Sequence, residues 1–284
     1  MKRRSWTSGW VLGLAGLATL ALLGGRAPEA AEAPPDPATL VKAEMVAELD
    51  QVIPGKPLWI GVKYTIAPGW HIYWENPGDS GLATDLTVDP GAGLSAGPPQ
   101  FPGPERFDLP GDIVNYGYHR EAALLSVLTP RPQLKTGERV QIKWSSSWLV
   151  CKEACLRGGA EGSLDLPVGQ ASAAKKTGAL DPFVAALPQP LRGAEGAEGW
   201  QGSGAEARYR VSVRGASGLT LFPNRALAEG PPGVEASGDS VNLSLDPAKY
   251  AANAAGLGGV VRAETPAGPR YYSFTVPWPP PARP

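Results

Sequence analysis

Two cysteines, Cys151 and Cys155, are the residues of this sequence best suited to chemistry, and they stand in a C-x-x-x-C spacing, Cys151-Lys152-Glu153-Ala154-Cys155. On a straight strand, positions four apart lie about 13 Å from one another, beyond the ~4.4–6.8 Å that a disulfide spans between Cα atoms. A bond between them therefore requires the backbone to turn or kink at Lys152–Ala154, where a β-rich run ending at Val150 gives way to helix-tolerant residues. Three uses of the pair stay open at this level. A structural bond would close only a five-residue loop, worth about 2 kcal/mol in the chain-entropy model, which is little for a domain of this size. A redox-active pair near a surface turn would be readily reduced, with Lys152 favouring a thiolate and Glu153 opposing it. The third use is a soft-metal site for copper or zinc, built from two thiolates and an imidazole of His71 or His119, the only histidines. Met45 is the only methionine apart from Met1, which counts against a copper carrier.

Other chemistries lack their signatures. No G-x-S-x-G, H-E-x-x-H or Walker loop occurs, and no cofactor is expected. Glu75, Asp79 and Asp85 flank an aromatic stretch and read as solvated loop charges.

The elements that must hold the pair follow from composition. The chain opens with Lys2, Arg3 and Arg4, then an apolar run from Trp10 to Leu23, then Ala-rich small residues. That run suits the core of a signal peptide and is short for a membrane span of ~20 residues. Residues 1–33 are expected to be an export leader, placing the remainder in the periplasm with no membrane span of its own. The leader carries four basic and two acidic residues, so its removal takes the net charge from −1 to about −3. A mildly acidic chain is a poor match for nucleic acid. Gly 36 and Pro 31 sit beside nine Trp and eight Tyr, the composition of β-rich domains joined by many turns.

Strands are expected at Val41–Leu49, Leu58–Ile66, Trp70–Trp74, Leu82–Val88, Val114–Tyr118, Ala122–Leu128, Arg139–Val150 and Ser163–Val168, with an irregular excursion over 89–112. A second set falls at Ala207–Val213, Leu219–Phe222, Val241–Leu245, Gly259–Ala263 and Tyr271–Val276. The reading is an all-β chain: a β-sandwich over 34–168, a linker over 169–204 with one apolar patch at Phe183–Leu187, a second β-sandwich over 205–278 and a Pro-rich tail at 279–284.

Several motifs stand in order: Pro68-Gly69-Trp70-His71-Ile72-Tyr73-Trp74-Glu75-Asn76-Pro77-Gly78-Asp79-Ser80-Gly81, Pro102-Gly103-Pro104-Glu105-Arg106-Phe107, Asn115-Tyr116-Gly117-Tyr118, and Trp148-Leu149-Val150-Cys151-Lys152-Glu153-Ala154-Cys155. Together they resemble the N-terminal periplasmic domain of thiol:disulfide interchange proteins of the DsbD type, especially its ScsB-like branch. The resemblance is close over about 40–168 and looser over 205–278. It implies two tandem immunoglobulin-like sandwiches. It implies that Cys151 and Cys155 relay reducing equivalents from a membrane-embedded thiol donor to periplasmic thioredoxin-like clients, in disulfide reduction or cytochrome c maturation. It also implies an aromatic cap over the pair, for which Phe107, Tyr116 and Tyr118 are the candidates. Full-length members continue into a membrane domain and a thioredoxin-like domain that these residues do not include, which leaves three expectations: a stand-alone version working with separate partners, a binding or scaffold module that has lost its electron supply, or a chain cut short. The alternative is a non-catalytic binding or scaffold module whose bond is structural, or which holds copper or zinc.

Overall fold

Alternation builds the strand that leads to the cysteines. In β9 (Arg139–Cys151), Val140, Ile142, Trp144, Ser146, Trp148 and Val150 point inward, while Arg139, Gln141, Lys143, Ser145 and Ser147 face solvent. This period of two is what a half-buried strand requires. Its partner is β10 (Cys155–Pro167), paired in antiparallel register from Cys155↔Cys151 to Pro167↔Arg139. The computed structural model describes residues 35–203, 208–224, 233–244 and 258–277. The expected leader, 1–33, and the tail, 279–284, lie outside the described residues.

Two sheets face each other in the first sandwich. One has the order β1 (Val41–Ala47), β2 (Leu58–Ile66), β8 (Glu121–Pro130), β5 (Leu94–Ala96). The other runs β10, β9, β3 (His71–Gly78), β7 (Ile113–His119), β6 (Glu105–Leu109), with β4 (Asp85–Asp89) also pairing with β9. Their inner faces enclose Ile60, Val62, Tyr64, Ile72, Trp74, Leu124, Ile142, Trp144, Trp148 and Val150. One buried polar group on β9 is satisfied within this core. Ser146 Oγ donates to the Asp85 carbonyl at 2.6 Å and lies 2.7 Å from the Tyr64 hydroxyl.

The strand β10 is longer than the expected Ser163–Val168, because Gly158, Gly159 and Gly162 carry no β signal. Pairing explains them. Gly158 lies opposite Trp148 and Gly162 opposite Trp144, and a Cβ at either position would press on the facing indole. The glycines make room for the tryptophans, so the tertiary contact overrides propensity. The excursion over 89–112 likewise holds β5 and β6, both too short to announce themselves in sequence.

The stretch 169–204 is more structured than a linker. Leu180 is fully buried, and with Leu187 it packs on Ala123 and Leu125, the outward-facing residues of β8, so the short helix α1 (Asp181–Ala185) covers the back of the four-stranded sheet. The apolar patch Phe183–Leu187 belongs to this cover. Further on, β11 (Gln189–Pro190) and β12 (Gly196–Gln201) already belong to the second sandwich. Its sheets are β11, β18 (Gly268–Thr275), β17 (Gly258–Thr265), β14 (Gly218–Pro223), and β12, β13 (Arg208–Val213), β16 (Ser240–Ser244), β15 (Gly233–Ser237). Tyr209, Val211, Val241, Val261, Tyr272 and Phe274 form its core.

The sandwiches are plugged together. Phe222 of β14 is 0% exposed and belongs to the core of the first body, edge-on to Trp74 (6.3 Å between ring centroids) and to Tyr116 (5.3 Å). Asn76 Nδ2 donates to the Pro223 carbonyl at 2.8 Å. A Cβ at Gly103 would run into the Tyr271 ring, so glycine there lets the second body seat closely.

Candidate functional site

Cys151 ends β9 and Cys155 begins β10; the two are Cα partners and are joined by a disulfide. Their Cα atoms stand 4.2 Å apart, the spacing of directly opposed residues in a non-hydrogen-bonded pair. The exposed link Lys152–Ala154 reverses the chain, with the Lys152 N–H donating to the Ala154 carbonyl at 3.2 Å. The bend required by the spacing is thus a hairpin turn and not a helical kink. The two sulfur-bearing residues differ in access: Cys151 is 3% exposed, while Cys155 is exposed.

Register places further residues on the same face. Cys151 is the Cα partner of His71 on β3, and His71 in turn is the partner of His119 on β7. Cys155, Cys151, His71 and His119 therefore form one row across four strands, on the face of the sheet turned away from the core. Phe107 stacks on His71 with ring centroids 4.8 Å apart and planes at 28°, and meets His119 edge-on at 6.3 Å. His119 Nδ1 lies 2.5 Å from a Glu105 carboxylate oxygen.

Of the expected aromatic candidates, only Phe107 is brought to this face. Tyr116 and Tyr118 alternate to the other side of β7. Tyr116 packs on Phe222, and the buried Tyr118 donates its hydroxyl to the Pro102 carbonyl at 2.7 Å. The histidines reach the row, but among the described residues no group of three or more His, Cys, Asp or Glu is arranged to hold a metal ion. His71 is 7% exposed, and burial holds its imidazole below the usual histidine range.

Sequence reasoning missed Tyr73. It follows His71 by two residues and so shares its face. Its hydroxyl lies 3.7 Å from Cys155 Sγ, and its ring meets His71 edge-on at 5.2 Å. Burial pushes the phenol up, and a hydrogen bond with Ser80 pulls it the other way. Gly81, at φ 96°, lies flat against the Tyr73 ring, where a Cβ would collide with it. The segment Asn76–Gly81, expected as a loop, carries the end of β3 and then turns to clamp onto β7. Asp79 N–H donates to the Val114 carbonyl (2.9 Å), and Val114 N–H donates to Asp79 Oδ2 (2.8 Å). Ser80 N–H donates to Oδ1 of the fully buried Asn115 (3.1 Å), and Asn115 Nδ2 donates to Ser80 Oγ (3.0 Å). Period-two alternation in WHIYW is the one signal that could have found Tyr73; the register linking β3 to β9 is not written in the sequence.

Comparison with known proteins agrees with this geometry. Residues 38–167 match the family model for thiol:disulfide interchange protein DsbD, N-terminal. The N-terminal periplasmic domain of ScsB from Proteus mirabilis has a similar structure, with TM-score 0.56 and 17% identity, covering 84% of this chain and 93% of that one. The Neisseria meningitidis DsbD N-terminal domain in the reduced form aligns with TM-score 0.30 and 18% identity, over 50% of this chain and 93% of that one. No curated protein sequence matches the chain. The ScsB likeness bears on the fold, two β-sandwiches of immunoglobulin type, and the family match bears on the segment that carries the cysteines. Residues 38–167 of the chain thus match the DsbD N-terminal domain family.

Proposed function

We propose that this protein is a periplasmic thiol:disulfide exchange module that passes reducing equivalents through Cys151 and Cys155 to thioredoxin-like clients, after receiving them from a membrane-embedded thiol donor. The observation that carries the reading is the asymmetry of the pair: a buried Cys151 bonded across a hairpin to an exposed Cys155. In the reduced protein the Cys155 thiolate attacks a client disulfide. A Cys155–client S–S bond forms, the client S–S bond breaks, and one client sulfur leaves as thiolate. The Cys151 thiolate then attacks Cys155 Sγ, closing the Cys151–Cys155 bond and releasing the second client thiolate. Two electrons pass from the module to the client. The donor would regenerate the dithiol by the reverse sequence.

Access favours this division of labour, because a client disulfide can approach Cys155 but not Cys151. Two exposed apolar side chains flank the clamp and offer a surface for a client: Leu82 follows Gly81 of the clamp, and Ile113 precedes Val114, to which the clamp is tied.

The reduction potential of the pair tests the reading, by equilibrating the protein in defined thiol buffers, alkylating, and weighing the products. A value in the range of about −270 to −120 mV typical of exchange proteins supports the relay. A value below about −300 mV belongs to a structural bond, and the protein would then be a binding module held by a staple.

A further inference from the structure

Tyr73 and Ser80 come from one sequence motif and Asn115 from another, yet they meet in one hydrogen-bonded chain that ends on a sulfur of the exchange pair. The chain has a direction. Asn115 Oδ1 accepts the Ser80 backbone N–H at 3.1 Å, and a backbone N–H can only donate, so the amide is oriented with Nδ2 toward Ser80 Oγ, 3.0 Å away. With its oxygen receiving that proton, the Ser80 hydroxyl has two acceptors in reach, Asn115 Oδ1 at 3.1 Å and the Tyr73 oxygen. When Ser80 donates to Tyr73, the Tyr73 proton is left for Cys155 Sγ, 3.7 Å away. The tyrosine is fixed in that pose on both sides of its ring, by His71, itself stacked on Phe107, and by Gly81.

We infer that Tyr73 is a catalytic residue of thiol exchange: its hydroxyl donates a hydrogen bond to the Cys155 sulfur and stabilises it as the attacking thiolate, with Ser80 and Asn115 as positioning residues that aim the proton. The inference rests on the exchange reading for its purpose, though not for its test. No bond to Tyr73 forms or breaks; the phenol keeps its proton and solvates negative charge at the sulfur of the exposed Cys155. Hydrogen bonds to ionised groups are stronger than neutral ones. The same contact stabilises Cys155 each time it departs as a thiolate when the donor opens the disulfide.

The test uses the full chain carrying Cys151→Ala, in which Cys155 is the sole thiol, and follows its alkylation by iodoacetamide against pH with mass spectrometry. Other groups around that sulfur are Lys152 and Glu153 in the turn, Arg157 along β10, and His71 and the His119–Glu105 pair across the sheet; all are retained in the variants. Adding Tyr73→Phe keeps the ring and deletes the donor. It should move the titration about one pH unit upward and slow alkylation at pH 7 about tenfold, the scale of one hydrogen bond to a charged group. Adding Ser80→Ala instead leaves Tyr73 in place but unaimed, and should slow the reaction in the same direction by about two- to threefold, the scale of one neutral hydrogen bond. A Tyr73→Phe profile superimposable on its parent overturns the inference. If that variant does not fold, an unchanged Ser80→Ala profile does so instead. These results are independent of the reduction potential of the wild-type pair, which alone decides the exchange reading.

Discussion

Reducing the Cys151–Cys155 bond should leave the protein folded and only slightly less stable. The bond closes a loop of five residues at a sequence separation of 4, and loop-closure entropy for so short a ring amounts to about 2 kcal/mol. Nothing in the core depends on it. The sulfurs sit on the outer face of the sheet, while Trp144, Trp148 and Val150 of the same strand fill the inner face. The hairpin register persists over thirteen residue pairs from Cys155↔Cys151 to Pro167↔Arg139, so twelve of these hold without the sulfurs. Urea unfolding followed by far-UV circular dichroism, with and without a phosphine reductant, measures the difference. With a slope of ~2 kcal/mol per molar urea, the midpoint should fall by about 1 M on reduction, and by a similar amount in the Cys151→Ala/Cys155→Ala variant. A reduced protein that has lost its strand signal in buffer, or a midpoint lowered by several molar, would refute the reasoning and make the bond a staple. An exchange module must tolerate both states; a staple need not.

Cys151→Ser should accumulate mixed disulfides through Cys155 when offered an oxidised thioredoxin-like protein, whereas Cys155→Ser should not; non-reducing electrophoresis separates the two outcomes. Phe222→Ala should cost about 3–5 kcal/mol in denaturant unfolding, the range for a buried aromatic ring whose cavity cannot collapse. For His71, burial holds the folded-state value below the ordinary 6.5, so the unfolded chain binds the proton more readily. Its contribution to stability is complete above about pH 6.5 and is lost as the pH falls toward the folded-state value. The thermal midpoint of His71→Gln should therefore fall less than that of the wild type between pH 7.5 and pH 5, read by parallel melts.

Much of the first sandwich was legible because its strands obey simple alternation. Leu58–Ile66 and Arg139–Val150 announce themselves by β-branched and aromatic residues at period two, and the C-x-x-x-C spacing alone demanded a chain reversal at Lys152–Ala154. What stayed hidden was set by partners distant in sequence. β10 is glycine-rich for the sake of the tryptophans facing it, and β5 and β6 are too short to carry a pattern. The segment holding Leu180 looks like a linker because its apolar residues are few, yet they cover the back of β8. At the candidate site, the cysteines stand out by residue type and spacing, and Phe107 is a candidate through the resemblance. Tyr116 and Tyr118 were placed with it because the face that each presents depends on the parity of β7 relative to Cys151. Tyr73, Ser80 and Asn115 could be joined only once the clamp of Asn76–Gly81 onto β7 was known.

The seating of Phe222 among Trp74 and Tyr116 has a consequence for how this chain can be divided. The family-matched stretch stops at residue 167, but a fragment cut there would bare the faces of Trp74 and Tyr116, leave the Asn76 amide without its acceptor, and strip Leu180 from the back of β8. Such a fragment would present a sticky apolar surface to its own copies. The unit that sequence comparison detects and the unit whose apolar surface is fully covered thus have different ends here, the second sandwich covering what the first leaves bare.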